Sequence, residues 1–354
     1  MSTTCQPALQ SALHSVSVND EGLVFRRGRI LSESFVHPYY GAPYRRPRTY
    51  AAFLAKNYWL RRCERVVGSG FWVTDNFSPG SYHHWLIDSL PRLLDAEQHA
   101  SEDDVVLLPQ SVARQRYVRF TLQAFPELVQ RTVEIGPRAK VRVDHLTVLA
   151  RPGEYRPHAL RDVATRVASL ADGAGPGAKI YLSRANAARR RVGNEQDVRR
   201  LLRESGFQIV EIDPTDPADQ VRVCRDAELI VGAHGADLSN LIFMAPGSRV
   251  LELRRPESPG VFFFDHYRWL ARTMGIAYRA MECEVTASAA GLELNNADLV
   301  VDLDMLRETL DGDGWPVASA PVTVPVGFGA RPTFDDHGSS NRTGQSTGPA
   351  PRRV

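Results

Sequence analysis

Glu228-Leu-Ile-Val231 runs directly into Gly232-Ala-His-Gly-Ala-Asp-Leu-Ser-Asn240. A short apolar run that breaks on glycines and continues as a helix-like segment is how a buried parallel strand hands over to its crossover. The same grammar holds on both sides. Upstream lie the strand-like run Lys179-Ile-Tyr-Leu-Ser183, an arginine cluster of Arg184 and Arg189-Arg190-Arg191, and an amphipathic run from Asn194-Glu195 through Val198, Leu201 and Leu202 to Gly206. Phe207-Gln-Ile-Val-Glu-Ile212 reads as the next strand and Asp216 to Asp226 as a helix. Downstream, Pro246-Gly247 turns the chain into Arg249-Val-Leu-Glu-Leu253. The order is β-α-β-α-β-α-β, which predicts a parallel sheet with crossover helices.

Ligands of such sheets bind at the carboxyl ends of the strands. Gly232 and Gly235 stand at one such end, where missing side chains let a ligand approach the backbone and a helix start favours an anion. The arginine cluster begins at the end of another strand of the same sheet, and a guanidinium fork suits phosphate. Two anion-seeking features in one sheet point to a diphosphate, and so to a nucleotide. Each feature singly has a plainer reading: a glycine-rich turn, a solvated arginine run, and Asn194 as a helix cap with Glu195 in the first turn.

Several pieces, in order and spacing over about 75 residues, resemble glycosyltransferase family 61: Tyr181-Leu-Ser-Arg184, Arg189-Arg-Arg-Val-Gly-Asn-Glu195, Gly206-Phe207, Gln220, Gly232 to Asn240 and Phe243 to Leu253. The resemblance covers capsular-polysaccharide and plant-xylosyltransferase-like proteins. It implies an α/β fold of two Rossmann-like domains facing across a cleft, the GT-B type. It also implies inverting transfer of a sugar from a nucleotide-sugar donor to a glycan or other hydroxyl acceptor.

The first half alternates strand and helix as well. Leu23-Val-Phe25 and Arg29-Ile-Leu31 read as a hairpin, Arg65-Val-Val67 and Gly70-Phe-Trp-Val73 as strands, and Ser111 to Phe125 as a helix. Phe35 to Arg48, with three prolines and three tyrosines, reads as a surface loop. Within Ser81-Tyr-His-His-Trp-Leu-Ile-Asp-Ser-Leu-Pro-Arg-Leu-Leu94, an apolar face of Leu86, Leu90, Leu93 and Leu94 stands opposite His84 and Asp88. Those two residues lie one helical turn apart and can pair, with either serving as a base. Spacing alone equally describes a solvated polar face. Family 61 proteins carry a His-x-x-x-Asp that His84 and Asp88 match, although Ser81 stands where many relatives have asparagine.

Composition sets the remaining bounds. The 354 residues suffice for two modest domains, and a hydrophobic share of 43% is that of a soluble globular chain. A net charge of +2 gives no field for nucleic acid, which is excluded as a partner. Cys5, Cys63, Cys224 and Cys283 form no Cys-x-x-Cys, which fits a reduced setting. Neither a leader-like start nor an apolar run of about 18 residues appears. A cytoplasmic protein without a transmembrane segment is expected, compatible with peripheral membrane association and with oligomers.

The expected organisation is a flexible N-terminus over 1–20, an acceptor-side α/β domain over 21–170, a linker over 171–178 and a nucleotide-sugar-binding α/β domain over 179–285. A segment over 286–330 would carry a closing helix that packs back on the first domain, and a disordered tail would fill 331–354. Asp302-Leu-Asp304 and Asp311-Gly-Asp313 have the form of a metal-binding Asp-x-Asp, but read as a helix start and a turn. No metal and no other cofactor is expected. The expected base is Asp88 or the His84–Asp88 pair. Arg184, Arg190 and the helix start at Gly235 and Ala236 are expected to face the leaving diphosphate, with Arg189 and Asn194 in the donor-binding set and His234 as a hydrogen-bond donor. Asn240 would contact the donor or cap locally. Glu252 would hold ribose hydroxyls or serve as a structural acid. The competing readings are a non-catalytic nucleotide- or glycan-binding protein of the same fold and, more remotely, a hydrolase holding metal on His83, His84 and Asp88.

Overall fold

The computed structural model describes residues 10–35, 47–75, 78–149, 156–213, 216–256, 265–286, 296–312 and 314–316. The loop expected over Phe35 to Arg48 falls mainly outside these residues, and the tail expected over 331–354 falls wholly outside them. The described chain is a mixed α/β structure with two large sheets.

The first sheet contains β1 (Gln10–Asn19), β2 (Val24–Arg26), β3 (Arg29–Ile30), β4 (Arg62–Trp72), β5 (Val105–Pro109), β6 (Thr132–Ile135) and β7 (Ala139–Leu149). Its order is β3-β2-β1-β7-β4-β5-β6. Strands β7, β4, β5 and β6 run parallel, while β1 lies antiparallel to β7. Its helices are α1 (Pro47–Leu54), α2 (Tyr82–His84), α3 (Leu90–His99), α4 (Gln110–Ala113), α5 (Arg116–Leu122), α6 (Pro126–Gln130) and α7 (Pro157–Ala168).

The second sheet is wholly parallel and contains β8 (Lys179–Leu182), β9 (Gln208–Val210), β10 (Leu229–Ala233), β11 (Arg249–Arg254) and β12 (Ala277–Glu282). Its helices are α8 (Glu195–Glu204), α9 (Pro217–Arg225), a 3-10 helix over Ala236–Phe243, and α10 (His266–Met274). A small pair, β13 (Glu284–Val285) with β14 (Leu299–Val300), leads to α11 (Leu303–Asp311). The order β12-β11-β10-β8-β9 reverses between β8 and β10, so its switch point lies where Arg184 and His234 leave their strands.

Strand alternation explains the layering. Ile180, Leu182, Ile230, Val250 and Tyr278 point into one large apolar cluster, while Tyr181, Leu229, Val231, Leu251 and Leu253 point to the other face. The first cluster also takes Leu90 and Leu93 from α3, Leu160 and Val163 from α7, Val221 from α9, Leu241 from the 3-10 helix and Leu270 from α10. One continuous core therefore fills the space between the two sheets. The far face of the second sheet is closed by Val198, Leu201 and Leu202 of α8 together with Leu306 of α11.

Several expectations change. Residues 10–19 are not loose: β1 pairs along its length with β7, from Gln10↔Leu149 to Asn19↔Lys140. Val16 and Val18 are buried between half-polar neighbours, a strand alternation broken at Ser15 by its φ of 51°. The two strands expected over 65–73 are one, and the helix expected over 111–125 divides at Gln115, whose backbone is extended. Within the expected linker over 171–178, Gly175 is held against α9. Gly175 N donates to Asp226 Oδ2 at 2.7 Å, and a Cβ there would meet the carbonyl oxygen of Arg222 at 2.5 Å. Close packing against α9 is what this glycine permits. The closing helix α11 packs against α8 rather than the first half, because Leu306 belongs to the far-face cluster. Asp302 caps it, accepting from the backbone N–H groups of Asp304 and Met305.

Candidate active site

The site forms where the segment after β4 meets the second sheet's switch point. Ser81 caps α2 by accepting from His84 N. The chain then widens into a π turn, Trp85–Ser89, and tightens into α3, where Pro91 sits in the first turn and needs no hydrogen-bond donor. Trp85 to Asp88 are all buried, so Asp88 is not on a solvated face; it is 7% exposed. His84 Nδ1 and Asp88 Oδ2 lie 2.7 Å apart. A buried carboxylate needs such a partner, and π turns concentrate at functional positions.

Across the junction, the Tyr82 hydroxyl donates to Asn240 Oδ1 at 2.5 Å, and His83 Nδ1 lies 2.8 Å from Ser239 Oγ. Burial pushes the Tyr82 phenol well above its usual range, so it stays protonated as a donor. Asn240 and Ser239 are fully buried, and Asn240 Nδ2 has no hydrogen-bond partner among the described residues. A ladder of rings continues inward: His83 to His84 at 5.2 Å, His83 to His266 at 5.1 Å, and His266 to His234 at 5.2 Å between centroids. Tyr267 packs on His83, His234 and His266, and its hydroxyl donates to Gly235 O at 2.6 Å.

On the second sheet, Arg184 leaves β8 and lies over Gly235. A Cβ on Gly235 would stand 2.5 Å from Arg184 Nη1, so the bare glycine is what admits the guanidinium. Arg184 Nη1 donates to Asp237 Oδ2 at 2.5 Å. Arg190, at φ 57°, donates to His234 O at 3.5 Å. Burial, then the neighbouring Arg184, lowers the Arg190 pKa from its usual value, which is the mark of crowded cations. Arg184 Nε and Arg190 Nε are both buried and have no hydrogen-bond partner among the described residues. Two guanidiniums with idle donors at a switch point suit an anion.

The remaining expected residues separate. Arg189 is exposed; its side chain reaches Asn296 Oδ1 at 3.2 Å, while its carbonyl oxygen accepts from Arg184 Nη2 at 3.5 Å. Arg191 forks onto Asp298, with Nε and Nη2 at 3.2 and 3.1 Å from Oδ2. Asn194 neither caps α8 through its side chain nor reaches the arginine pair; its amide binds the backbone of Val301 in both directions, at 2.7 and 3.0 Å. Glu195 accepts from the Tyr181 hydroxyl at 2.8 Å and Ser183 Oγ at 2.5 Å, fixing the start of the arginine loop. Gly235 and Ala236 open a 3-10 helix rather than an α-helix, which weakens the expected dipole. Glu252 has no exposed surface; its two oxygens face His234 Nδ1 and the Tyr278 hydroxyl, so ribose cannot reach it directly. Among the described residues, no three His, Cys, Asp or Glu side chains are grouped to hold a metal ion.

Residues 82–251 match the family model Glycosyltransferase 61. Over this segment, a little under half of its length, the chain is similar to glycosyltransferase family 61. The matched segment begins at Tyr82 and ends inside β11, so it contains both the His84–Asp88 pair and the arginine pair. A beta-1,2-xylosyltransferase of Arabidopsis thaliana is 36% identical over 63 residues, 18% of this chain and 11% of that protein. The chain thus aligns with about a tenth of the length of the curated relative it matches. Tyr82, Ser239, His266, Tyr267 and Tyr278 were not foreseen in the sequence. Tyr82 and Ser239 lay inside quoted stretches, where an aromatic beside two histidines was the available signal. His266 and Tyr267 carried none, since nothing local places α10 beside β10. Among the described residues no helix is long and apolar enough to cross a membrane.

Proposed function

We propose that the protein is an inverting glycosyltransferase of the GT-B type that moves a hexosyl or pentosyl group from a nucleoside-diphosphate sugar to a hydroxyl of a glycan or similar acceptor. The observation that carries the reading is the pairing across one junction of an acid–base dyad with two part-idle guanidiniums. Arg184 and Arg190 hold the diphosphate and stabilise charge on the departing oxygen. The His84–Asp88 pair, from the other half, takes the proton of the acceptor hydroxyl as it attacks the anomeric carbon from the face opposite the leaving group. Asn240 Nδ2 donates to the bound donor. The family match and the xylosyl transfer named in the relative support the class of reaction. A cytoplasmic role in surface polysaccharide synthesis is the setting we favour.

The reaction needs no metal on this reading, because two cations already face the leaving group. Assays of sugar transfer in excess chelator are expected to retain full rate. A loss restored by added divalent cation would reject the metal-free scheme. A screen of melting temperature against UDP and GDP tests the donor site itself: a nucleoside diphosphate at a hundred times its Kd stabilises by about 2.7 kcal/mol, and no shift with either would count against a nucleotide donor. Binding of donor without turnover over a broad acceptor panel would favour the non-catalytic alternative.

A further inference from the structure

Glu252 is a carboxylate with no exposed surface in a strand whose neighbours, Leu251 and Leu253, are also fully buried. Leu251 and Leu253 face the far side of the sheet, so alternation turns Glu252 toward the layer between the sheets. There its Oε2 accepts from the Tyr278 hydroxyl and its Oε1 meets His234 Nδ1. Burial, then the charge of Glu252, pushes the Tyr278 phenol far above its usual range, so Tyr278 is a fixed donor. A carboxylate in such a place is costly unless its partners are good, and a fold that only needed packing would be served by leucine. His234 is the residue that leads from this buried acid to the arginine pair: it precedes Gly235, and its carbonyl oxygen accepts from Arg190.

Resting on the proposed nucleotide-sugar site, we infer that Glu252 is a positioning residue that keeps a proton on His234 Nδ1 and turns Nε2 toward the leaving diphosphate, where His234 binds as the protonated ring. With Nδ1 engaged by Glu252, Nε2 is the nitrogen through which the ring meets a ligand. Facing an oxyanion, Nε2 stabilises only when it carries a proton. Binding of a nucleoside diphosphate and protonation of His234 are then linked, and each favours the other. The titratable and charged groups that face His234 are Glu252 on β11, with Tyr278 on β12 behind it, and His266 and Tyr267 on α10, with His83 on α2 beyond His266; Arg190, on the loop after β8, meets its carbonyl oxygen, and Arg184 of the same loop pairs with Asp237. The incoming diphosphate is the counter-charge for that proton, so the proton arrives with the anion.

The test is titration calorimetry of the full chain with UDP and with GDP, in buffers of different ionisation enthalpy, across the range where histidine titrates. The wild type is expected to take up close to one proton, with affinity falling by up to tenfold per pH unit as pH rises. His234→Asn is expected to lose the uptake and flatten that pH dependence. Glu252→Gln, which keeps the volume and an acceptor for Nδ1 but not the charge, should reduce the uptake and shift the dependence to lower pH, while its melting temperature reports whether it folds. Wild-type binding without proton uptake, or uptake that survives in His234→Asn, overturns the inference and leaves the donor site standing. Failure of the wild type to bind either nucleotide removes the donor site and this role together.

Discussion

Asp88 shows how much a single side chain depends on its surroundings. Its i,i+4 relation to His84 was readable from spacing, but the choice between a base and a solvated polar face was not. What bears on it is burial: Asp88 is buried in a π turn whose Trp85, Leu86 and Ile87 are buried as well, which spacing cannot reveal. Asp88→Asn keeps the shape and removes the charge. It is expected to lower kcat by about 10²–10⁴-fold, with affinity for UDP or GDP nearly unchanged and melting temperature close to wild type; a wild-type rate would exclude Asp88 as part of the base. Arg190→Ala is expected to weaken nucleoside diphosphate binding by about tenfold to a hundredfold, since a charge-assisted bond contributes roughly 1.5–3 kcal/mol; calorimetry reads this directly. Arg191→Ala, by contrast, breaks the fork onto Asp298 and should leave that affinity within about twofold, because exposed ion pairs contribute at most about 1 kcal/mol. The sequence could not separate these neighbours, since the positive φ that turns Arg190 inward leaves no trace in a run of three arginines.

The central strands of the second sheet were the most legible elements. β8, β10 and β11 are buried on both faces, and runs such as Leu-Ile-Val have few other places to go. The first turn after β10 was read as a place where a ligand approaches the backbone and an α-helix starts; in the structure Arg184 lies over Gly235 and a 3-10 helix follows. Gly235 has an extended backbone, with φ 171°, so alanine could adopt it; what forbids a methyl group is Arg184. Gly235→Ala is therefore expected to fold normally and to bind UDP or GDP about tenfold less tightly, because one guanidinium contact worth roughly 1.5–3 kcal/mol is displaced. An unchanged affinity would mean Arg184 moves aside without loss. β1 was missed for a different reason: its alternation is short, and its partner β7 lies more than a hundred residues away.

At the level of the entire chain, the two sheets were expected as separate domains across a cleft, and the alternation of strands and helices in each half supported that much. The continuity of the core between them was not legible, because α3, α7, α9 and α10 are each amphipathic in the ordinary way and nothing local says they share one interior. Leu160 and Val163 of α7 belong to the same cluster as Leu241 of the 3-10 helix and Leu270 of α10. The halves should then lose structure together. Calorimetric unfolding is expected to show a single transition with equal calorimetric and van't Hoff enthalpies; two resolved transitions would show that the halves melt independently.

The π turn at Trp85–Ser89 has one further consequence. It houses a surplus residue that an uninterrupted α-helix would not accommodate, so the chain on either side is out of phase by about one position, or roughly 100°. Leu90 and Leu93 can keep their places in the interior while Tyr82 and His83 aim at Ser239 and Asn240 on the opposite half. Excising one residue, for example Ile87, would restore an even coil and swing the histidines away from their partners. The face that this helix turns to the opposite half is thus set by a miscount in its winding.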